Sequence, residues 1–330
     1  MNTGSSGHLG LDSISVIIPV YNEERSIALL VERLFSILGG LGRAFEVIAV
    51  NDGSIDGSMS ELRKAATARP EFKVVSLARN YGQTAAVMAG LDHARGEIIV
   101  PIDADLQNDP ADIPLLLAKI EEGYDVVSGW RKERKDHAIR RNFMSWVANW
   151  LISWISGVHL HDYGCSLKAY RRAVIGHVRL YGEMHRFVPI YASWYGARIT
   201  EIVVRHHPRA HGTSNYGLER VLKVLLDLIV VRFLDRFLGK PIYLFGGFGL
   251  LWLAIAFAAM FYVFYLKIFE GLSMIQTPLP ALAAMSLMMG VTSILIGLLA
   301  EIVVRIYFEA RSQLIYHIRE EINFDQTLKI

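Results

Sequence analysis

Three short polar runs hold the residues most able to do chemistry: Pro19-Val20-Tyr21-Asn22-Glu23-Glu24, Asn51-Asp52-Gly53-Ser54 and Asp103-Ala104-Asp105-Leu106-Gln107. Asp103, Asp105 and Gln107 alternate, so an extended backbone would turn all three side chains to one face. Two carboxylates and an amide oxygen form a hard-oxygen set suited to Mg2+ or Mn2+. Carboxylates beside an anionic diphosphate repel it unless a cation intervenes, and a divalent metal can take oxygens from both sides. An isolated Asp-x-Asp arises readily in surface loops. This one follows directly on the apolar run Ile98 to Ile102, which places it at the end of a buried strand.

A second set is basic. Arg131, Lys132, Arg134 and Lys135 are followed by Arg140, Arg141 and Ser145. Such a run is commonly a solvated face, yet the forked donors of arginine also suit a phosphate bidentately. Further on stand Asp162-Tyr163-Gly164-Cys165 and Arg205-His206-His207-Pro208-Arg209, the latter leading into Gly212-Thr213-Ser214-Asn215-Tyr216. The two adjacent histidines point apart on a strand and have no thiol beside them, which disfavours zinc. Glu23 also admits a plain reading, since an acidic residue favours a helix N-terminus.

The elements that must carry these residues alternate. Ile14 to Val20, Phe45 to Asn51, Lys73 to Leu77, Glu97 to Ile102 and Asp125 to Ser128 read as strands. Helical patterns fill the gaps at Glu24 to Leu38, Ser58 to Ala68, Gln83 to Ala94 and Ala111 to Glu122. This order predicts an α/β fold, a mostly parallel sheet with helices on both faces. Ligands of such sheets bind at the carboxyl ends of the strands, where all three polar runs fall. No Gly-rich phosphate loop stands at the first turn, so a dinucleotide fold and a P-loop NTPase are both disfavoured.

The last third is different. Ile242 to Leu266 and Leu279 to Ala300 are uncharged and long enough to cross a hydrocarbon core of about 30 Å. Apolar residues cover every helical face rather than one stripe, unlike a surface helix of a soluble protein. Arg232, Arg236 and Lys240 precede the first segment and Arg305 and Arg311 follow the second, whereas the link carries only Lys267 and Glu270. The positive-inside tendency then puts the large N-terminal part in the cytoplasm. Leu222, Leu225, Leu226, Ile229 and Phe233, with charges interleaved, predict an amphipathic helix. The expected divisions are a flexible tail over 1–13, a catalytic domain over 14–217, an amphipathic juxtamembrane region over 218–240, two transmembrane helices within 241–304 (about 242–266 and 279–300), and a cytoplasmic tail over 305–330. A net charge of +2 over 330 residues gives no support to a nucleic-acid partner. The single cysteine, Cys165, excludes an internal disulfide.

Together the set Val-Ile-Ile-Pro-Val-Tyr-Asn-Glu-Glu, Asn-Asp-Gly-Ser, Arg79-Asn80-Tyr81-Gly82-Gln83 and Asp-Ala-Asp-Leu-Gln resembles the GT-A glycosyltransferases of family 2, in the polyprenyl-phosphate sugar transferase group. The resemblance runs from about Ser13 to Arg311. It implies a Rossmann-like GT-A domain with interfacial amphipathic helices and a C-terminal two-helix transmembrane hairpin, in the bacterial inner membrane. It also implies a nucleotide-sugar donor, with uridine favoured over guanosine, held by Pro19, Tyr21, Glu23, Asp52, Asp103 and Arg205. Asp105 and Gln107 become ligands of Mg2+ or Mn2+. Arg131, Arg140, Arg141 and Ser145 hold the phosphate of a polyprenyl acceptor, undecaprenyl phosphate, and Asp162 lies near sugar and acceptor. The resemblance further implies a homo-oligomer, a tetramer, and a lipid-linked sugar for cell-envelope glycan or lipid A modification. A lysine usual in the family's Gly-x-Ser-Lys-Tyr stretch is Asn215 here. The Gln-x-x-Arg-Trp motif of processive polysaccharide synthases does not occur. A nucleotide-sugar-binding scaffold without activity is one alternative, and intact Asp105 and Gln107 speak against it; a phosphatase or other metal hydrolase, which would release free sugar and no lipid product, is another.

Overall fold

The computed structural model describes residues 13–132, 152–153, 156–176, 186–208, 242–273, 277–309 and 316–324. Arg140, Arg141, Ser145, the stretch 212–216 and the amphipathic region 218–240 lie outside them. The chain divides into two compact units, one comprising Met1–Leu228 with Leu314–Ile330 and the other Ile229–Gln313.

The first unit is built on one eight-stranded sheet. Its strands are β1 (Ile14–Val20), β2 (Phe45–Asn51), β3 (Phe72–Leu77), β4 (Ile98–Pro101), β5 (Val126–Trp130), β6 (Lys168–Arg171), β7 (Ile199–Val203) and β8 (Ile318–Ile322), in the spatial order β7-β5-β6-β4-β1-β2-β3-β8. β1 pairs in parallel with both β2 and β4, and β2 with β3. β6 runs antiparallel between β4 and β5, and β5 pairs in parallel with β7. The central strands are almost wholly apolar, as strands covered on both faces must be; Ile14, Val16, Ile17, Val47, Ile48 and Val74 are fully buried.

Helices α1 (Glu24–Gly39), α2 (Ser58–Ala68), α3 (Gln83–His93) and α4 (Ile113–Glu121) make the crossovers. Ile27, Leu30, Val31, Leu34 and Leu38 repeat at three- and four-residue spacing and form the buried stripe of α1. Helix α3 is different: Thr84 through Gly90 are all buried, so it has little solvated face and belongs to the core. Pro110 opens the short 3-10 turn Pro110–Asp112 before α4, where its missing N–H costs nothing. Two shorter helices, α5 (Arg172–Ile175) and α6 (Val188–Trp194), follow β6.

The mostly parallel sheet agrees with the pattern of alternating runs. Three strands were not expected. β6 has four residues and a lysine inside the core, and β7 is only half-buried along its length. The sequence of β8, Ile-Arg-Glu-Glu-Ile, falls in the segment read as a tail. It nevertheless returns to pair antiparallel with β3, Val74 opposite Ile322 and Leu77 opposite Ile318.

The second unit consists of α7 (Ile242–Phe269) and α8 (Leu279–Glu309). At 28 residues α7 is about 42 Å long. Mean hydropathy reaches 2.1 in each helix, over Ile242–Phe269 and Leu279–Val303, and both are long and apolar enough to cross a membrane. Phe257, Phe261, Met285 and Met288 stand outward and exposed, an arrangement suited to lipid rather than water. The helices meet through small residues, because a methyl on Gly249 would lie 2.8 Å from the carbonyl oxygen of Gly290. Close backbone approach of this kind is how helices associate where there is no hydrophobic drive between them.

Candidate active site

A cavity of about 250 Å³ opens at the carboxyl ends of β1, β2 and β4, lined by Pro19, Val20, Tyr21, Glu23, Asp52, Asn80, Gly82, Gln83, Ala86, Asp103, Ala104 and Asp105. Of the residues singled out in the sequence, Pro19, Tyr21, Glu23, Asp52, Asp103 and Asp105 therefore share one wall-to-wall space. Gln107, Arg131, Asp162 and Arg205 do not line it.

The loops that make the cavity are laced together by short polar side chains. The amide of Asn22 donates to Ser54 Oγ, that of Glu23 to Ser58 Oγ, and Asn22 Oδ1 accepts from the amide of Ile55. Asn22 turns the chain with φ +56, a conformation asparagine tolerates. Asp52 is 3 % exposed, and its two carboxylate oxygens accept from the amides of Tyr81 at 2.7 Å and Gly82 at 2.9 Å. Burial raises the pKa of Asp52 and these two amides oppose the rise. Asp52 thus fixes the far wall as well as facing the cavity. The Arg79 guanidinium covers the Tyr81 ring at 4.5 Å.

Gly53 is the point where these loops touch. Its φ is +66, and a Cβ there would lie 2.5 Å from the carbonyl carbon of Arg79. Gly53→Ala is expected to force the 79–82 loop away from Asp52. Strain of about 1–3 kcal/mol read out at the cavity corresponds to roughly tenfold weaker nucleotide binding. Calorimetric titration with UDP and Mn2+ measures it, and an unchanged affinity would contradict this contact.

The Asp-x-Asp segment departs from the extended geometry expected of it. β4 ends at Pro101 and residues 104–106 form a turn. Asp105 Oδ1 accepts from the amide of Gln107, and Leu106 sits at φ +61. A bulky residue in the left-handed region is strained and marks a backbone held by its surroundings. Asp103 and Asp105 still reach the cavity together, but through a turn and not by strand alternation, while the backbone carbonyl of Gln107 accepts from the amide of His207. Gln83 Nε2 donates to Asp103 Oδ1 at 2.8 Å. Burial first, then the neighbouring charge of Asp105, raises the pKa of Asp103, against the pull of Ser166, Arg131 and Lys168.

This concentration of negative charge beside open space fits a divalent cation. Among the described residues no three His, Cys, Asp or Glu side chains gather into a metal cage. A cation here would complete its shell with oxygens from a ligand or water, the usual habit of Mg2+.

Behind the aspartates lies a charge cluster. Arg131, at the end of β5, forms a two-pronged ion pair with Asp162, Nε to Oδ2 at 2.7 Å and Nη2 to Oδ1 at 3.0 Å. Both side chains are nearly buried, 10 % and 12 % exposed. The two residues expected at the acceptor phosphate and the sugar are thus brought together, as partners. Lys168 joins this cluster and was not singled out in the sequence. It is 3 % exposed, its ammonium donates to the carbonyls of Tyr163 and Cys165, and burial lowers its pKa. Its signal in the sequence was a lysine within a short apolar strand, three residues beyond Cys165.

Arg205 pairs with Asp112 at 2.8 Å and Asp109 at 3.3 Å. His206 bridges to Asn108. The segment after β7 thereby packs on the loop that follows Asp105.

Cys165 is fully buried, and burial pushes its thiol up to about 11. Reactivity belongs to the thiolate, so a maleimide at pH 8 is expected to leave the folded protein unmodified and to add one label in guanidinium, read by intact mass. Labelling of the folded protein would contradict the packing of the 162–165 loop.

The profile of "Glycosyl transferase family 2" matches residues 15–179. A dodecaprenyl-phosphate galacturonate synthase of Rhizobium johnstonii is 41% identical over 311 residues, which cover 93% of this chain and 92% of that protein. An undecaprenyl-phosphate 4-deoxy-4-formamido-L-arabinose transferase of Pseudomonas aeruginosa is 40% identical over 306 residues, 92% of this chain and 88% of that one. Among solved structures, glucosyl-3-phosphoglycerate synthase of Mycobacterium tuberculosis, in complex with Mn2+, UDP and phosphoglyceric acid, superimposes with a TM-score of 0.52 at 20% identity, covering 68% of this chain and 78% of that chain. That likeness carries the fold, a Rossmann-like GT-A sheet. With a cavity at the carboxyl ends of its parallel strands, an Asp-x-Asp turn inside it and relatives matched along nearly the whole chain, the protein is a member of glycosyl transferase family 2.

Proposed function

We propose that the protein transfers a sugar from a nucleotide-sugar, a UDP-sugar, to the phosphate of a polyprenyl lipid, undecaprenyl phosphate or a close homologue, with inversion at the anomeric carbon. The observation that carries this reading is the pair Asp103 and Asp105 in the cavity, in a chain whose relatives at about 40% identity are named for polyprenyl-phosphate sugar products and transfers. The bond from the anomeric carbon to the leaving diphosphate breaks, a bond from that carbon to a phosphate oxygen of the lipid forms, and UDP departs. The acceptor needs no general base, because a phosphate monoester with a second pKa near 6 is already an oxyanion at neutral pH.

The residues divide the work. Tyr21, Glu23 and Asp52 hold the nucleoside end of the donor, and Asp103 faces its diphosphate and sugar. Asp105, with Gln107, holds Mg2+ or Mn2+. When bound, that ion supplies positive charge to the departing diphosphate, the largest single stabilisation available here. Arg131, with Arg140, Arg141 and Ser145, binds the lipid phosphate. Asp162 holds the guanidinium of Arg131 in register rather than taking a proton. Arg205 braces the segment after β7 against Asp109 and Asp112. The two apolar helices keep the site at a bacterial inner membrane, catalytic unit on the cytoplasmic side, where a lipid headgroup can reach it. Assembly into a homo-oligomer, a tetramer by resemblance, belongs to the same proposal.

The test is one assay on purified protein in detergent with undecaprenyl phosphate, Mn2+ or Mg2+ and a panel of nucleotide-sugars, including UDP-galacturonic acid and UDP-4-deoxy-4-formamido-L-arabinose. The expected result is a new lipid whose mass equals the acceptor plus one sugar residue. A panel that yields no lipid-linked sugar, or only free sugar, refutes the proposal.

A further inference from the structure

β8 lies beyond the two apolar helices in the chain, yet its contacts converge on the walls of the cavity. The pairing of β8 with β3 continues past the end of the strand, where the amide of Ala78 donates to the carbonyl of His317 at 2.8 Å. The next residues, Arg79 to Gly82, form the loop that Asp52 holds by two amides. The His317 ring packs on the Tyr81 ring, 6.4 Å between centroids at a tilt of 58°, a favourable aromatic geometry. Tyr316 is 2 % exposed, and its hydroxyl donates to Asp92 Oδ2 at 2.9 Å.

Asp92 and His93 end helix α3, and Gln83 begins it. The far end of that helix is further held by His93, which pairs with Glu321 at 3.2 Å and packs edge-on against Phe324 at 5.1 Å. The near end delivers Gln83 to Asp103. Helix α3 is thus held at one end by residues in and beside β8 and touches a cavity aspartate at the other. The 79–82 loop and α3 together supply Asn80, Gly82, Gln83 and Ala86 to the cavity lining.

Resting on the reading of this cavity as the donor site, we infer that Tyr316 and His317 are positioning residues for nucleotide-sugar binding: β8 sets the 79–82 loop and helix α3, and through them the donor pocket. Neither residue touches the ligand. Tyr316 acts through Asp92 and α3, and His317 through Tyr81.

The experiment uses the full chain in detergent, with UDP and Mn2+ as the calorimetric probe and undecaprenyl phosphate varied separately in the transfer assay. Tyr316→Phe removes one buried hydrogen bond and His317→Ala one ring contact. Each is expected to weaken UDP binding roughly fivefold with the KM for the lipid phosphate unchanged. Restoring a ring with His317→Phe is expected to recover the affinity lost in His317→Ala. Arg319→Ala, an exposed position on the same strand, serves as the control and leaves UDP binding at the wild-type value. Unchanged UDP affinity in both Tyr316→Phe and His317→Ala, with wild type binding normally, overturns the inference alone. So does a parallel loss of donor affinity, acceptor KM and thermal stability, which marks a merely structural strand. Wild-type protein that fails to bind UDP with Mn2+ refutes the donor-site reading itself, and this inference falls with it.

Discussion

Asp105→Asn is expected to reduce sugar transfer by about 10³-fold, the scale seen when a charge-stabilising group is removed from an active site, while leaving the protein at least as stable. The two effects have one cause. Asp105 is 7 % exposed and its charge, after burial, is what raises the pKa of Asp103. Two neighbouring carboxylates in a half-enclosed cavity repel one another, and asparagine keeps the volume while removing one of the charges. The folded state is relieved and the cation site is lost. Nucleotide binding measured with Mn2+ and with EDTA separates the causes. Wild type gains affinity from the metal; the variant gains none. A variant that keeps full transfer would remove the metal from the mechanism, and one that unfolds would make Asp105 a structural residue.

The Arg131 and Asp162 pair is expected to give the second large effect. Asp162→Ala leaves a nearly buried guanidinium without its counter-charge, a loss of about 3–5 kcal/mol in comparable buried pairs. It also removes the acceptor for the amide of Gly164, so the loop that carries Tyr163 and Cys165 loosens too. Arg131→Lys keeps the charge but gives up the fork that meets both carboxylate oxygens. Residues acting as a unit are non-additive. The Arg131→Lys, Asp162→Asn double variant should therefore be no worse than the poorer single variant in the KM for lipid phosphate. The pH–rate profile distinguishes orientation from proton transfer. If Asp162 only orients, the acid limb keeps its position in Asp162→Asn; disappearance of that limb would make Asp162 the base.

The parallel core was legible because its strands obey simple rules. Ile14 to Val20 and Phe45 to Asn51 are apolar runs closed by turn residues, and both coincide with β1 and β2. Helix α2 also coincides with its expected range. The first loop of the site could be read because it lies where a parallel sheet binds ligands. What sequence did not disclose are features set by tertiary contact. The Asp-x-Asp turn depends on Leu106 adopting a left-handed conformation, which no propensity of leucine suggests. The Arg131 and Asp162 pair joins residues 31 apart, and an arginine in a basic run announces a phosphate as readily as a carboxylate. Lys168 breaks the rule that lysine stays out of cores, and the two carbonyls around its ammonium together with the charge of Asp162 explain it. β8 was hidden by Glu320 and Glu321, residues poorly suited to strands; Arg63 pairs with Glu320 and His93 with Glu321 to make an edge position tolerable.

That edge strand also has a consequence for biosynthesis. Domains generally fold as they are made, N-terminal parts first, and most of this sheet could assemble while the rest of the chain is still on the ribosome. β8 cannot join until both apolar helices have been synthesised. The enzyme is therefore completed last at the wall of its own cavity, after both apolar helices have already left the ribosome. A chain stalled or cut between α8 and β8 would carry every side chain named for chemistry and still present an open edge at β3.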